Sequence, residues 1–384
     1  MSNRYALYAA VGRQLRQFDL DTRHGTLTQC SIFELPEGLQ YMWRHASLPI
    51  LYAACSDGRP KFEGTRHCVC ALRMHDDGSL ALEGEVIPLP VRPVHITTDS
   101  QSRYAFVTSA HPSRVDVFEI DANGRLGACV PQQLPALPRT AHQLLLTPDD
   151  RLAVLPLRGN DASEQKAEDP GAVVIFRHAN GKLTYWRTIA PDGGYGFGPR
   201  HVDFHPAGRW MYLSIERQNE VALFDMDDDY ALRCRETTLR DPLHEKPRQL
   251  VGAIHVHPDG KTVYVSNRAD GTVEEDGRQV FNGAENTISV YRIDPGNGLP
   301  TLIQTADTHG MHTRTFQVHP GGRWLVAANM TPRWARTPEG LAEVPAGLSV
   351  FAVDEDGKLE FRHKVDLDAS RNHLFWAGFA ALPS

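Results

Sequence analysis

The sequence predicts an all-β protein, a seven-bladed β-propeller, on three observations. A turn-and-strand unit recurs along the chain, its copies lie about 50 residues apart, and the two termini complement each other as parts of one blade. The unit is clearest in "HPAGRWMYLS" (205–214), "HPDGKTVYVS" (257–266) and "HPGGRWLVAA" (319–328). Each is a polar turn followed by an alternating apolar strand. Degenerate copies are "HASLPILYAA" (45–54), "TTDSQSRYAFVTS" (97–109) and "TPDDRLAVLP" (147–156). A further strand and a second turn follow most copies, as in "VDVFEIDANGRL", "AVVIFRHANGKL", "ISVYRIDPGNGL" and "LSVFAVDEDGKL".

Four short strands per unit and 384 residues allow roughly seven units. No amphipathic helical pattern of useful length competes, which excludes a TIM barrel. At the N-terminus, "RYALYAAVG", "QLRQFDLD" and "TLTQCSIF" resemble a blade lacking its first strand, and "NHLFWAGFAAL" at the other end supplies a lone first strand. Joining them closes the ring and removes exposed edges. The whole of 1–384 is therefore expected to be one propeller domain. Three polar insertions, 158–171, 268–286 and 331–347, leave the repeat at the same point. They read either as disordered decoration or as lids over one face.

Composition narrows the function. A net charge of −7 with no basic stripe argues against a nucleic-acid partner. No stretch has the ~20 apolar residues needed to span a bilayer, and the N-terminus lacks a signal-peptide core. These features lead to the expectation of a soluble cytoplasmic protein, a monomer or weak homo-oligomer, with a small molecule as its partner. The six cysteines are scattered, and Cys68 and Cys70 read as neighbouring buried strand thiols. No ligand pattern calls for a metal or other cofactor.

In each unit the first strand runs into the H-P-x-G turn and the second runs back, so the start of one and the end of the other share one rim. Six residues before the turn proline, or its equivalent, stand Gln40, Arg92, His142, Arg200, Gly252 and Arg314. Ten after it stand Ser56, Thr108, Arg158, Glu216, Arg268 and Met330. Turn residues repeat, as fold-forming residues should; rim residues vary, as residues sharing one asymmetric site should. Five arginines, one histidine and one glutamate on a rim suit an anionic substrate and a reaction that develops negative charge on oxygen. Ester or lactone hydrolysis fits, as does proton-transfer lactonisation. His201 follows Arg200, so strand alternation points it away from the axis to a supporting role. His205, His257 and His319 recur at the turns and are read as structural.

The stretches "GPRHVDFHPAGRWMYLSIERQNEVALFDMD" and "GAIHVHPDGKTVYVSNR…NTISVYRID" resemble the lactonase family of seven-bladed propellers. That family contains the propeller-type 6-phosphogluconolactonases and the fungal 3-carboxy-cis,cis-muconate lactonizing enzyme. The resemblance runs through essentially the whole chain, and G-P-R-H with a glutamate sixteen residues after its arginine is its most specific part. It implies catalytic roles for His142, Arg200, Glu216 and Arg268. Arg314, Arg92, Arg158 and His201 complete the expected substrate-contacting set. The implied activity is metal-independent hydrolysis of an anionic sugar-acid lactone, either 6-phosphogluconolactone or an aldaric acid lactone. Muconate-type cycloisomerisation and a non-enzymatic interaction scaffold are the alternatives.

Overall fold

The computed structural model describes residues 4–60, 62–242, 248–370 and 372–383. Seven four-stranded antiparallel sheets form the blades. The inner strands of blades 1 to 6 are Leu39–Arg44, Pro93–Thr98, Leu145–Leu146, Pro199–Phe204, Gln249–Val256 and Thr313–Val318. In blade 7 the inner strand is Leu374–Ala381, paired with Tyr5–Val11 and followed outward by Gln14–Asp21 and Thr26–Glu34. The terminal strands therefore close the ring in one blade, as their sequences predict.

The apolar core is divided among the blade interfaces. Seven clusters of buried side chains each lie between two neighbouring blades. Phe224 and Met211 of blade 4, for example, pack with Val154 and Ile175 of blade 3, while Tyr212 and Leu223 pack with Val263 and Tyr291 of blade 5. Second and third strands are buried on both faces for this reason, and read as apolar runs rather than strict alternation. Burial between blades leaves the axis free for polar side chains.

Two sets of recurring hydrogen bonds clasp blade to blade. The tyrosine of the repeat's second strand donates to the carbonyl of the outer-turn glycine in the next blade: Tyr8 to Gly78 at 2.6 Å, Tyr52 to Gly124 at 3.0 Å, Tyr212 to Gly298 at 2.7 Å and Tyr264 to Gly357 at 2.8 Å. Gly298 has φ +77°, and a Cβ there would stand 2.5 Å from the Trp210 ring, so both conformation and space demand glycine. The turn histidines supply the second set. His205 Nε2 meets the Gly260 carbonyl at 2.9 Å and His257 Nε2 the Gly322 carbonyl at 2.8 Å. Their structural role is as expected from the repeat.

Six of the seven inner strands carry a β-bulge at the rim, the short Leu145–Leu146 of blade 3 being the exception. Leu39 pairs with Cys55 but Tyr41 with Ala54, leaving Gln40 as the extra residue. The same slip isolates Val94, Arg200 and Arg314, falls at Gly252–Ala253, and isolates Phe375 in blade 7. Serine hydroxyls take up backbone amides freed by the slip: Ser214 Oγ accepts from His201 N at 3.1 Å and Ser266 Oγ from Ala253 N at 2.9 Å. A bulge resets strand alternation. His201 consequently faces the axis together with Arg200, contrary to the sequence expectation.

Two of the insertions form regular structure instead of disordered decoration. Thr272–Glu275 pairs with Arg278–Phe281, Arg333–Thr337 pairs with Gly340–Val344, and a parallel bridge from Val280 to Trp334 joins the hairpins into an eighth sheet. The Arg278 guanidinium lies 3.9 Å from the Trp334 ring centre, and Arg336 is ion-paired with Glu275. The first insertion is pinned by backbone bridges from Asn160 to Asp169 and from Ser163 to Lys166.

Replacing Tyr212 by Phe removes one clasp while keeping the ring. It is expected to lower stability by about 1–2 kcal/mol without changing the fold. Denaturant unfolding checks the stability, and circular dichroism the fold.

Candidate active site

The bulges of blades 4 and 6 aim Arg200 and Arg314 at the rim, and in blade 4 the second strand returns a partner beside Arg200. Arg200 and Glu216 begin and end one hairpin, and meet with Nε 2.8 Å from Oε2. Arg268 of blade 5 donates to the same oxygen at 2.7 Å, and Arg158 of blade 3 donates to Oε1 at 2.8 Å. Three blades thus converge on one carboxylate that is 3% exposed. Burial pushes the Glu216 carboxyl up, but the charges of Arg268, Arg158 and Arg200 outweigh it and hold the pKa at about 2. Arg268 also reaches His312 Nε2 at 2.9 Å and the Val251 carbonyl at 3.2 Å.

Arg314 differs from these three. It is 9% exposed, and among the described residues no carboxylate lies within 4.0 Å of its guanidinium. Its planar group stacks on Phe375, 4.2 Å from the ring centre. Burial depresses its pKa, and so do Arg200 and Arg268. With Arg158, Arg200, Arg268 and Arg314 set against Glu216, the rim carries excess positive charge and one buried guanidinium without an anion.

His142 lies where blade 3 is irregular, between the bridge at Ala141 and the two-residue strand Leu145–Leu146. The neighbouring Gln143 Oε1 accepts from Val202 N of blade 4 at 2.7 Å, tying this segment to Arg200's strand. The His142 ring is 4.9 Å from that of His201, and its Nδ1 has no hydrogen-bond partner. Burial and then Arg200, Arg314, Arg268 and Arg158 depress its pKa well below 6.5, so the imidazole is neutral at neutral pH.

The sequence count was two residues out of register in blade 2. Asp99 N bonds the Tyr104 carbonyl there, as His205 N bonds the Trp210 carbonyl in blade 4. Asp99 therefore occupies the turn-histidine place, and Val94 and Ala110 occupy the rim positions assigned to Arg92 and Thr108. Arg92 remains near the site, donating to Gln40 Oε1 at 3.1 Å and standing 3.6 Å from Glu63.

Sequence reasoning missed Phe375, His312, Tyr41 and His95. Phe375 is the bulge residue of the closing blade, which the count omitted. Tyr41, His95 and His201 each follow a rim position and converge beneath it, with Tyr41 to His95 at 4.1 Å and His95 to His201 at 6.2 Å. Burial and Arg200 hold the His95 pKa at about 3. The buried serine in "YLS" and "YVS" is the signal that could have revealed the bulge and this column. Among the described residues, no three His, Cys, Asp or Glu side chains stand where they could hold a metal ion.

Fold and rim together define a closed β-propeller with a cationic, carboxylate-centred site at one end of its axis. The chain belongs to the lactonase family of seven-bladed β-propellers, whose sequence profile matches residues 6–333. It is 29% identical over 288 residues to a 6-phosphogluconolactonase of Yersinia pestis (strain Pestoides F), covering 72% of this chain and 78% of that one. To the 6-phosphogluconolactonase of Yersinia enterocolitica it is 28% identical over 267 residues, 67% of this chain and 73% of the relative. Among solved structures, the periplasmic gluconolactonase of Pseudomonas aeruginosa superposes with a TM-score of 0.75 at 20% identity, over 99% of both chains. A protein from Lactobacillus plantarum does so at 0.74 and 20%, over 98% of this chain and 99% of that one. Both share the fold. No helix among the described residues is long and apolar enough to cross a membrane.

The Glu216 clamp has a pH signature. Its folded pKa, about 2, lies below the ordinary 4.5, so its stabilisation is complete above pH 4.5 and is lost as pH falls towards 2. Glu216→Gln, which strips the buried Arg200 and Arg268 and the half-buried Arg158 of their anion, is expected to cost roughly 3–5 kcal/mol at neutral pH. The deficit relative to wild type should shrink in that acid window, as followed by denaturant titration at stepped pH.

Proposed function

We propose that the protein hydrolyses an anionic sugar-acid lactone at this rim. The observation that carries the reading is Arg314, a buried guanidinium stacked on Phe375 with no carboxylate within 4.0 Å among the described residues. A buried unpaired cation is costly, and an anionic substituent on the substrate relieves that cost. The family and the named relatives agree with this chemistry.

Arg200 and Arg268, held in place by Glu216, face the lactone carbonyl and stabilise the oxyanion that forms on it. Fixed donors of this kind lower a barrier by roughly 3–4 kcal/mol. His142 is the general base. Being neutral, it can accept a proton from water as the water oxygen bonds to the carbonyl carbon. When the tetrahedral intermediate collapses, the bond from that carbon to the ring oxygen breaks, and His142 returns the proton to the departing oxygen. The product is the open-chain hydroxy acid, whose carboxyl releases one proton at neutral pH. Glu216 is too weak a base for the first step: three arginines occupy its two oxygens and hold its pKa at about 2. Its role is to fix the arginines. Arg158, bonded to Glu216, and Arg92, bonded to Gln40, support the same positive field.

Acid release is to be followed from freshly prepared 6-phosphogluconolactone, glucaro- and galactarolactones and gluconolactone, with spontaneous hydrolysis subtracted. At least one should be turned over, and His142→Gln should lower kcat by about 10²–10⁴-fold. A folded protein that accelerates none of them overturns the reading. The pH profile offers a separate check. The arginines depress His142 in the free enzyme, and a bound anion offsets them. The acid limb of kcat/KM should therefore lie at lower pH than the acid limb of kcat.

A further inference from the structure

A cleft of about 720 Å³ opens beside the arginine cluster and not over it. Its lining includes Gln40 and Phe375 of the rim, and also Arg59, Arg333 and His373, none of which the proposed chemistry uses. Phe375 is the partition: one face carries the stacked Arg314, and its ring borders the cleft. Arg333 opens the second hairpin of the eighth sheet. One terminal nitrogen donates to the Pro332 carbonyl at 3.2 Å, and its buried Nε has no partner. His373 precedes the closing strand, and its buried Nδ1 is likewise unpartnered. Burial first, then Arg59, Arg333 and Arg314, depresses the His373 pKa, against a smaller opposing pull from Asp270.

Four carboxylates line the cleft with four guanidiniums, and two of the carboxylates, Glu37 and Asp57, pair with Arg66, which stands outside the lining. Glu37 is ion-paired with Arg66 at 2.5 Å. Asp57 accepts from the Thr65 and Arg66 amides at 2.8 and 2.9 Å, and Asp368 accepts from Ser370 N at 3.0 Å. Arg59 is exposed and lies 5.7 Å from the Phe62 ring centre. Arg59, Arg333 and His373, with the neighbouring Arg314, thus border one part of the cleft, which has room for one end of a sugar acid.

Resting on the lactonase reading, we infer that this cleft is a specificity subsite. Arg333 and His373, with Arg314 across Phe375, bind the anionic group on the terminal carbon of the substrate, at the far end from the lactone carbonyl. Arginine pairs with phosphate and carboxylate through the same bidentate geometry, so the shared chemistry is a terminal oxyanion. A neutral hydroxymethyl group there leaves Arg333 and Arg314 without an anion. Discrimination at this end should therefore exceed anything that shape alone provides.

The test compares kcat/KM for three six-carbon lactones carrying a terminal phosphate, carboxylate or hydroxymethyl group. Wild type should favour one anionic lactone over the neutral one, and the phosphate and carboxylate arms identify which oxyanion the cleft accepts. In Arg333→Ala the anionic-to-neutral ratio should fall about tenfold or more, with partial recovery in Arg333→Lys. Arg336→Ala, which removes an ion pair on the same hairpin outside the cleft, should leave the ratio at its wild-type value. If Arg333→Ala does not fold, His373→Gln tests the same contact by the same ratio. Equal wild-type values for charged and neutral lactones overturn the subsite while leaving the hydrolase reading intact. A preference that neither substitution changes does the same. Absence of turnover on all three lactones removes the hydrolase reading, and the subsite with it.

Discussion

One buried carboxylate organises the arginine-rich end of this propeller. Glu216 accepts from Arg158 and Arg268 and pairs with Arg200, so side chains from three blades are fixed by a single anion. Without it their positive charges would repel at close range inside a poorly solvated rim, and desolvation would force a rearrangement. With it, the guanidiniums are held in fixed directions, as oxyanion stabilisation requires. Its negative charge offsets only part of theirs. Burial and the remaining field keep His142 neutral, and among the described residues no carboxylate lies within 4.0 Å of the Arg314 guanidinium.

The scaffold makes that arrangement possible by keeping the core off the axis. Apolar burial is partitioned into seven interfaces, and tyrosine and histidine hydrogen bonds clasp neighbouring blades near the turns. Polar side chains at the axis therefore do not compete with a central hydrophobic core. The bulge then redirects them: one extra residue in an inner strand brings two consecutive side chains inward, as with Arg200 and His201. Serine hydroxyls at the repeat's own position take up the freed amides. Rim and channel thus follow from one local departure from regular pairing, repeated round the ring.

Much of this was legible because it is periodic. The H-P-x-G turns, the tyrosine strands and the matching termini announce the blades, and counting from the turn proline finds Arg200, Glu216, Arg268, His142, Arg158 and Arg314. The count slipped where the turn chemistry changed, at Asp99, and placed Arg92 on a rim position that Val94 holds. It missed Phe375 because the closing blade contributes no turn to count from. His201 was turned the wrong way because strict alternation carries no information about a bulge.

The sequence by itself determined the number of blades, the closure of the ring and which charged residues share one end. Those properties depend on local turn chemistry and strand periodicity, both of which are written in consecutive residues. Only the tertiary structure decided that Glu216 is held by three arginines, that Arg314 stacks on Phe375, and that two distant insertions join into one sheet. These relations depend on distances between side chains far apart in the chain. Such distances exist only after the blades have packed against one another and the bulges have set the direction of each rim residue.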